Sequence, residues 1–225
     1  MDIARLPEFD WTFDLINTDS QRRRAAVERQ AMLWDRYVEE QQRASAIYWQ
    51  AGGTFAPADP AMSAQLRRAH NAMKHWSDQF AFAPVYQFMY GATPWQPLIA
   101  HAILFLRYEV LFPDEWGRRW NTKRHVLQML GRRGPTVETH DEILELVDAA
   151  MRRQQRCEDG FYARVARTLD RATIGACIAA VDRDGDDNAR HRAGYIRWAI
   201  DNPGAPVSLA SWRRWMEHAR IASGT

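Results

Sequence analysis

The chain has 225 residues, of which 46% are hydrophobic and 26% charged, and its formal net charge at pH 7 is +2. These values are typical of a globular protein and exclude both a disordered chain and a uniformly basic one. The basic residues are unevenly divided, because 28 are arginine and only Lys74 and Lys123 are lysine. A GC-rich genome would explain this bias, and so would a need for planar guanidinium groups in phosphate contacts.

The N-terminal sequence and the cysteine content both favour a cytoplasmic protein. Residues 1–15 are acidic and interrupted by Pro7, so they lack the basic and apolar segments of a secretory signal. No apolar stretch is long enough to span a membrane. Cys157 and Cys177 form neither a disulfide framework nor a CxxC metal motif, and we expect free thiols.

The N-terminal residues 1–17 differ in composition from the rest of the chain. They carry Phe9, Trp11 and Phe13 but no helical pattern, which predicts an aromatic arm lying on the folded protein. Residues 18–225 are predicted to form a single helical domain, with a subdivision considered near 131–139, where Gly134-Pro135 stops a helix.

Two long helices are predicted next. Thr18 and Gln21 form a capping box that opens the first helix, and Gly52-Gly53 ends it. Asp59-Pro60 opens the second helix, with aspartate as the cap and proline at the first helical position. Positions spaced by alternating fours and threes predict the seam by which the first helix packs on a neighbour. That predicted seam is Val27, Ala31, Trp34, Val38, Gln41, Ser45 and Tyr48.

The stretch from Thr93 to Pro113 predicts a buried helix around which the other helices pack. Thr93 suits the N-cap and Pro94 the first helical position, since proline has no N–H group to leave unpaired there. The few strongly polar residues of this helix do not share one face, so it is apolar all round, as buried helices are. The sequence therefore predicts an all-α, multi-helix bundle around a buried central helix at about 93–113.

The remaining sequence also reads as helical. One helix is predicted from Asp114 to Gly131, and a capping box at Thr139 and Glu142 opens the next. Residues 182–188 are predicted to form an acidic loop between two further helices. No segment alternates apolar and polar residues as a strand would.

The arginines are concentrated between the central helix and residue 171. If the helices fold back on one another, these side chains would line a groove that binds the backbone of single-stranded DNA or RNA. The alternative is a scattered charged surface that compensates itself. The predicted nucleic-acid contacts are Arg118, Arg119, Lys123, Arg124, Arg132, Arg133, Arg152, Arg153, Arg156, Arg164, Arg167 and Arg171.

The acidic loop resembles the start of an EF-hand. Asp182, Asp184 and Asp186 would supply oxygens at the first three ligand positions. The motif then departs from the family, because Asp187 stands where the turn requires glycine and Ala193 where a bidentate glutamate is required. A solvated acidic turn is the expectation.

The pair His140-Asp141 resembles the metal-binding pair of the HD phosphohydrolases, which are all-helical enzymes. The resemblance would require His101 or His125 upstream, and Asp182 or Asp184 downstream, to complete the ligand set. The chain has no HExxH motif, no GxSxG motif and no glycine-rich phosphate loop. We expect no enzymatic activity, no cofactor and no bound metal, with the metal-dependent HD-type hydrolase as an alternative.

The order of segments over residues 62–216 resembles the small all-helical subunits of CRISPR surveillance complexes. Those subunits are helical bundles whose arginine-lined faces follow the target or displaced strand. The resemblance implies a non-enzymatic subunit that contacts nucleic acid through arginine. The residues that carry it are Leu66-Arg67-Arg68-Ala69, His101 to Leu106, Gly131-Arg132-Arg133, Phe161 to Leu169 and Leu209 to Trp215.

The leading hypothesis is a nucleic-acid-binding helical subunit of a ribonucleoprotein or defence-type complex. Its expected partners are nucleic acid and other protein subunits, with no membrane. The first alternative is a helical protein–protein interaction or immunity-type protein that uses its tryptophan-rich ends as the contact surface.

Overall fold

The computed structural model describes residues 6–116, 119–154, 156 and 158–223, and every regular element in these ranges is helical. This confirms the predicted all-α class. None of the described helices combines the length and the apolar character needed to cross a bilayer. Contacts between residues divide the chain into two compact units, one spanning Leu6–Pro84 and the other beginning at Val85. The subdivision considered near 131–139 falls within the second of these units.

The helices follow one another with short connections. Two 3₁₀ segments, Pro7–Ile16 and Asp159–Phe161, accompany the α-helices. The α-helices are α1 (Ser20–Gln50), α2 (Pro60–Ser77), α3 (Ala83–Met89), α4 (Gln96–Leu111), α5 (Pro113–Trp116), α6 (Trp120–Arg133), α7 (His140–Arg152), α8 (Tyr162–Ala166), α9 (Arg171–Asp184), α10 (Asp187–Asp201) and α11 (Leu209–Ser223).

The unit Leu6–Pro84 is a helical hairpin of α1 and α2. Part of the predicted aromatic arm is a 3₁₀ helix that packs on α1 and buries Phe9 and Leu15. Helix α1 begins one residue later than predicted, because Asp19 rather than Thr18 accepts the first backbone N–H groups. The predicted cap of α2 is confirmed, since the Asp59 carboxylate accepts from the N–H of Ala61.

The predicted seam of α1 is wrong by one residue. The buried residues are Ala26, Leu33, Ala44 and Ile47, each one position before a predicted member. Trp34, which was predicted inside, is 52% exposed. Alanine at the true seam lets the helices approach closely, and a tryptophan there would hold them apart.

The unit that begins at Val85 contains the predicted central helix. Helix α4 is buried on all sides, including every residue from Leu98 to Leu106, which confirms the prediction. Its start was predicted too early, because Trp95 occupies the N-cap and Pro97 lies in the first turn. Proline is tolerated there because the first-turn N–H groups have no partner within the helix.

Two predicted boundaries in this unit are wrong for identifiable reasons. Gly131 does not end α6 but lies inside it, where an added Cβ would come within 2.9 Å of the Arg164 Cβ. The glycine therefore permits close packing of α6 on α8. The acidic segment is not a loop either, since Asp182 and Asp184 belong to α9 and Asp186 caps α10 by accepting from the N–H of Ala189.

Candidate functional site

Helix α6 presents a lysine on its inner face. The Lys123 side chain is fully buried, and its Nζ donates to Glu109 Oε1 at 2.8 Å and to Asp159 Oδ1 at 2.5 Å. Glu109 belongs to the buried helix α4, and Asp159 to the 3₁₀ turn before α8. The two carboxylates are themselves almost completely buried. A buried charge is tolerated only when it is paired and hydrogen-bonded. The ion pairs of Lys123 therefore have to be kept, and they connect α4, α6 and the 3₁₀ turn.

Two arginines complete the buried ion cluster. Arg153 Nη2 donates to Asp159 Oδ1 at 2.7 Å and to Glu109 Oε2 at 3.2 Å. Arg156 donates from Nη1 to the backbone oxygen of Glu109 and from its own N–H to Asp159 Oδ2. Lys123, Arg153 and Arg156 were predicted to contact nucleic acid, and the structure places them in this internal cluster.

The cluster perturbs the titration of its members. Burial lowers the pKa of Arg153, but the negative charges of Asp159 and Glu109 act in the opposite direction, and the net shift is upward. Burial also raises the pKa of the Tyr162 phenol well above its ordinary value. Arg153 is therefore cationic and Tyr162 neutral at physiological pH.

Two further predicted arginines pair with carboxylates at the surface. Arg152 donates to Asp148 and Asp184, and hydrogen bonds to these two carboxylates raise its pKa. Arg171 Nη2 lies 2.6 Å from Asp201 Oδ1. The positive charge of each of these two guanidinium groups is therefore balanced by a neighbouring carboxylate.

Three more predicted arginines are held by uncharged groups. Arg167 donates to the carbonyl oxygens of Ala199, Asn202 and Ala205, at the end of α10. Arg164 donates to the carbonyl oxygen of Val207. The guanidinium of Arg133 lies over two aromatic rings, at 5.1 Å from the centre of Phe88 and 5.3 Å from that of Trp95.

The outer face of α6, which points away from the buried Lys123 side, carries arginines in a different environment. Arg124 donates to its neighbour Asn121, and Arg132 lies 3.8 Å from the Met129 sulfur. Among the described residues, neither arginine forms an ion pair with a carboxylate. Arg119 is exposed as the N-cap of α6, but it stands four residues before the inward-facing Lys123, so it does not share this face. Arg118, the remaining predicted contact, lies outside the described residues.

The outer face also contains polar residues that the sequence prediction missed. Asn121, His125 and Gln128 are exposed or half-exposed beside the two arginines. The sequence could have indicated this positive face, because α6 contains no acidic residue from Trp120 to Arg133. A positive surface without local acids attracts anions, and its attraction weakens with salt.

The residues considered for metal binding do not assemble a site. In the part of the chain that the structure describes, no three His, Cys, Asp or Glu side chains are grouped to hold a metal ion. His140 contacts Asp141 at 3.2 Å, while His101 is fully buried on α4. Asp182 pairs with Arg197, and Asp184 with Arg152.

Comparison with known proteins gives no family for this chain, since no family model, no curated protein and no solved structure matches it. The resemblance to CRISPR small subunits therefore stays a prediction. The candidate site is defined by its geometry alone, as the acid-free outer face of α6. It consists of Asn121, Arg124, His125, Gln128 and Arg132.

Proposed function

We propose that the protein is a non-enzymatic nucleic-acid-binding subunit of a ribonucleoprotein or defence-type complex, and that the outer face of α6 contacts the phosphate backbone. The observation that carries the proposal is the contrast among the predicted arginines. Most of the predicted arginines that the structure describes form ion pairs, hydrogen bonds to carbonyl oxygens or contacts with aromatic rings. Arg124 and Arg132 lie instead on a face of α6 that contains no acidic residue.

The chemistry of this face suits a phosphate backbone. Arg124 and Arg132 are eight residues apart, so their Cα atoms lie about 12 Å apart along the helix axis. Gln128, between them, and Asn121, one turn before Arg124, offer uncharged donors, which commonly accompany arginine at phosphate oxygens. The resemblance to arginine-lined helical subunits supports the same use, and it adds other protein subunits as partners.

The direct experiment is a binding titration of the full chain against labelled single-stranded and double-stranded oligonucleotides at about 50 mM salt. The test variant is Arg124→Gln with Arg132→Gln. The matched control is Arg171→Gln with Arg197→Gln, which removes the same charge from arginines that pair with Asp201 and Asp182. We expect the test variant to weaken binding about tenfold and the control to weaken it little.

Two results would contradict the proposal. The first is negligible binding of every oligonucleotide by the unmodified chain at low salt. The second is equal loss of affinity in the test and control variants, because this would indicate a response to net charge rather than contacts made by α6.

A second candidate function is supported by a separate observation. In the unit Leu6–Pro84, Trp49 is 70% exposed and Phe55 is 71% exposed, alongside the half-exposed Trp34. Large aromatic residues on a surface are enriched at protein–protein contacts. This supports the alternative of a helical protein-interaction or immunity-type protein.

Purification of the full chain from its native cells, with and without nuclease, separates the two candidates. The nucleic-acid proposal predicts that DNA or RNA copurifies and that Arg124→Gln with Arg132→Gln reduces it. The interaction protein predicts a protein partner that survives nuclease treatment and is lost from Trp49→Ser. Retention of that partner by the Trp49→Ser variant would contradict the second candidate.

A further inference from the structure

The connection between α1 and α2 carries exposed aromatic side chains. Helix α1 ends at Gln50 and α2 begins at Pro60. Trp49, in the last turn of α1, and Phe55, in the connection, both expose most of their surface. With the half-buried Tyr48 they form a group that we call the aromatic tip. Large exposed apolar groups that lie together mark a site of interaction.

The aromatic tip is held in one arrangement by ring contacts and by the backbone. The ring centre of Tyr48 lies 4.5 Å from that of Phe55 and 5.1 Å from that of Trp49. Gly52 and Gly53 have φ angles of +73° and +77°, which glycine adopts without strain, and they reverse the chain directly after α1. The N–H of Gly53 donates to the Tyr48 carbonyl oxygen. The rings are therefore ordered before any partner binds, which lowers the entropic cost of binding.

The sequence around the aromatic tip is uncharged, and the sequence beyond it is basic. Residues 44–58 contain no Asp, Glu, Lys or Arg. The only acidic residue between Gln41 and Ser77 is Asp59, whose carboxylate caps α2. The same range contains four basic residues, Arg43, Arg67, Arg68 and Lys74. An uncharged aromatic end followed by cations is complementary to an anionic lipid surface.

The arginines stand at a suitable distance behind the tip. Arg43 is six residues before Trp49, which corresponds to about 9 Å along α1. Arg68 is eight residues after Pro60, which corresponds to about 12 Å along α2. The headgroup layer of one leaflet is about 5–8 Å thick. If the hairpin meets a bilayer end-on with its rings at the edge of the hydrocarbon, these guanidinium groups therefore lie near the phosphates.

An open groove of about 540 Å³ lies along this part of the hairpin. Its lining includes the apolar side chains of Ile47 and Ala69 beside Arg43 and Arg68. Arg43 pairs with Glu40 at 2.8 Å, and Glu40 also lines the groove. Arg68 is exposed and forms no ion pair with any described residue. Arg68 thus offers a cation beside an apolar surface, as an anionic phospholipid requires.

We propose that the end of the α1–α2 hairpin binds the surface of an anionic phospholipid bilayer, with Trp49 and Phe55 in the interface and Arg67 and Arg68 contacting lipid phosphates. Tryptophan and tyrosine concentrate at the membrane–water interface, because their rings are apolar and their N–H or O–H groups stay hydrated. Such a contact needs no spanning segment, and it replaces the expectation that the protein has no membrane partner. The inference does not rest on the nucleic-acid proposal, because α6 belongs to the other unit.

Sedimentation of the full chain with protein-free vesicles tests the proposal. One set is phosphatidylcholine alone, and the other contains about one third phosphatidylserine, which is anionic. We expect the chain to sediment with the anionic vesicles and much less with the neutral ones. Binding to the anionic vesicles should fall as the salt concentration rises from about 50 to about 300 mM, because salt screens the attraction.

The aromatic contact is tested by a matched pair of variants. Trp49→Ser with Phe55→Ser removes the two exposed rings of the tip, and should weaken binding to anionic vesicles about tenfold. The control is Tyr90→Ser with Val137→Ser, which removes two equally exposed apolar side chains from the other unit and should leave binding unchanged. Circular dichroism confirms that each variant is folded, and the vesicle and salt dependence of the unmodified chain requires no variant.

The phosphate contact is tested by charge-matched variants of the hairpin. Arg67→Gln with Arg68→Gln should weaken binding to anionic vesicles about tenfold and change the weak binding to neutral vesicles little. The control is Arg22→Gln with Arg36→Gln, which removes the same charge from arginines that pair with Asp14 and Glu39. The control should weaken binding little.

Four results would overturn the bilayer contact. They are no sedimentation with either vesicle, equal binding to neutral and anionic vesicles, unchanged binding of the tip variant, or equal losses in the two arginine variants. Absence of vesicle binding, together with loss of a copurifying protein from Trp49→Ser, would assign the tip to a protein partner instead. Arg124→Gln with Arg132→Gln should leave vesicle binding unchanged, so the oligonucleotide titration judges the function of α6 separately.

Discussion

The inner and outer faces of α6 hold cations in opposite physical situations. Lys123 and Arg124 are consecutive in sequence, yet Lys123 is fully buried between two carboxylates, whereas Arg124 is half-exposed and donates to a neighbouring asparagine. Successive residues of a helix point about 100° apart, which is enough to separate a core position from a surface one. The number of basic residues in a segment therefore does not measure its capacity to bind phosphate, because the inner cations are already committed to the fold.

The largest effect is expected from breaking the inner cluster. Lys123→Met leaves Glu109 and Asp159 buried with one partner fewer, and should lower the free energy of unfolding by about 3–5 kcal/mol. Urea denaturation measures this change. The matched control is Lys74→Met, the other lysine of the chain, whose side chain is 73% exposed beside Asp78. The control should change stability by about 1 kcal/mol or less.

A double variant tests whether unpaired buried charge causes that loss of stability. If unpaired charge is its cause, Lys123→Met with Glu109→Gln should recover part of the stability, because one carboxylate is removed with its partner. A Lys123→Met protein as stable as the Lys74→Met protein would contradict the account of the cluster.

An intermediate effect is expected where α6 packs on α8. Gly131→Ala would place a Cβ 2.9 Å from the Arg164 Cβ and 3.2 Å from the Arg164 backbone, and should lower the free energy of unfolding by about 1–2 kcal/mol. Gly175→Ala in α9 is the control, since nothing lies within 4 Å of its added Cβ. That substitution should raise stability by up to about 1 kcal/mol through helix propensity. Equal effects of the two variants in thermal denaturation would argue against close packing at Gly131.

The smallest effect is expected at the surface ion pairs. Arg171 is 77% exposed and Asp201 50% exposed, so water and salt screen their attraction. Arg171→Gln should therefore change the free energy of unfolding by less than about 1 kcal/mol in urea denaturation. A loss as large as that of Lys123→Met would mean that surface and buried cations do not differ as proposed.

Much of the fold followed from the sequence pattern because the strongest signals were local. The Asp59 cap and the all-round apolar helix α4 each depend on residues close together in sequence, and both predictions are confirmed. The seam of α1 was missed because two adjacent stripes have the same spacing. The choice between them depends on residues distant in sequence, because Ala44 and Ile47 pack against Leu66 and Ala69 of α2.

The buried ion cluster was missed for a different reason. Lysine is almost never fully buried, so Lys123 was assigned to the surface by residue type. Its position in the helix indicates burial instead, because Lys123 shares a helix face with the buried Val126, Leu127 and Leu130. Glu109 gave a matching signal as a charge on a buried helix, but its pairing with Lys123 depends on how α4 and α6 pack.

The salt dependence of oligonucleotide binding shows whether Arg124 and Arg132 contact phosphate. For a single strand, each phosphate contact contributes about 0.7 to the slope of the logarithm of affinity against the logarithm of salt concentration. Arg124→Gln with Arg132→Gln should therefore reduce the magnitude of the slope by about 1.4, and the Arg171 and Arg197 control should leave it unchanged. An unchanged slope in the first variant, or an equal reduction in the control, would contradict the claim.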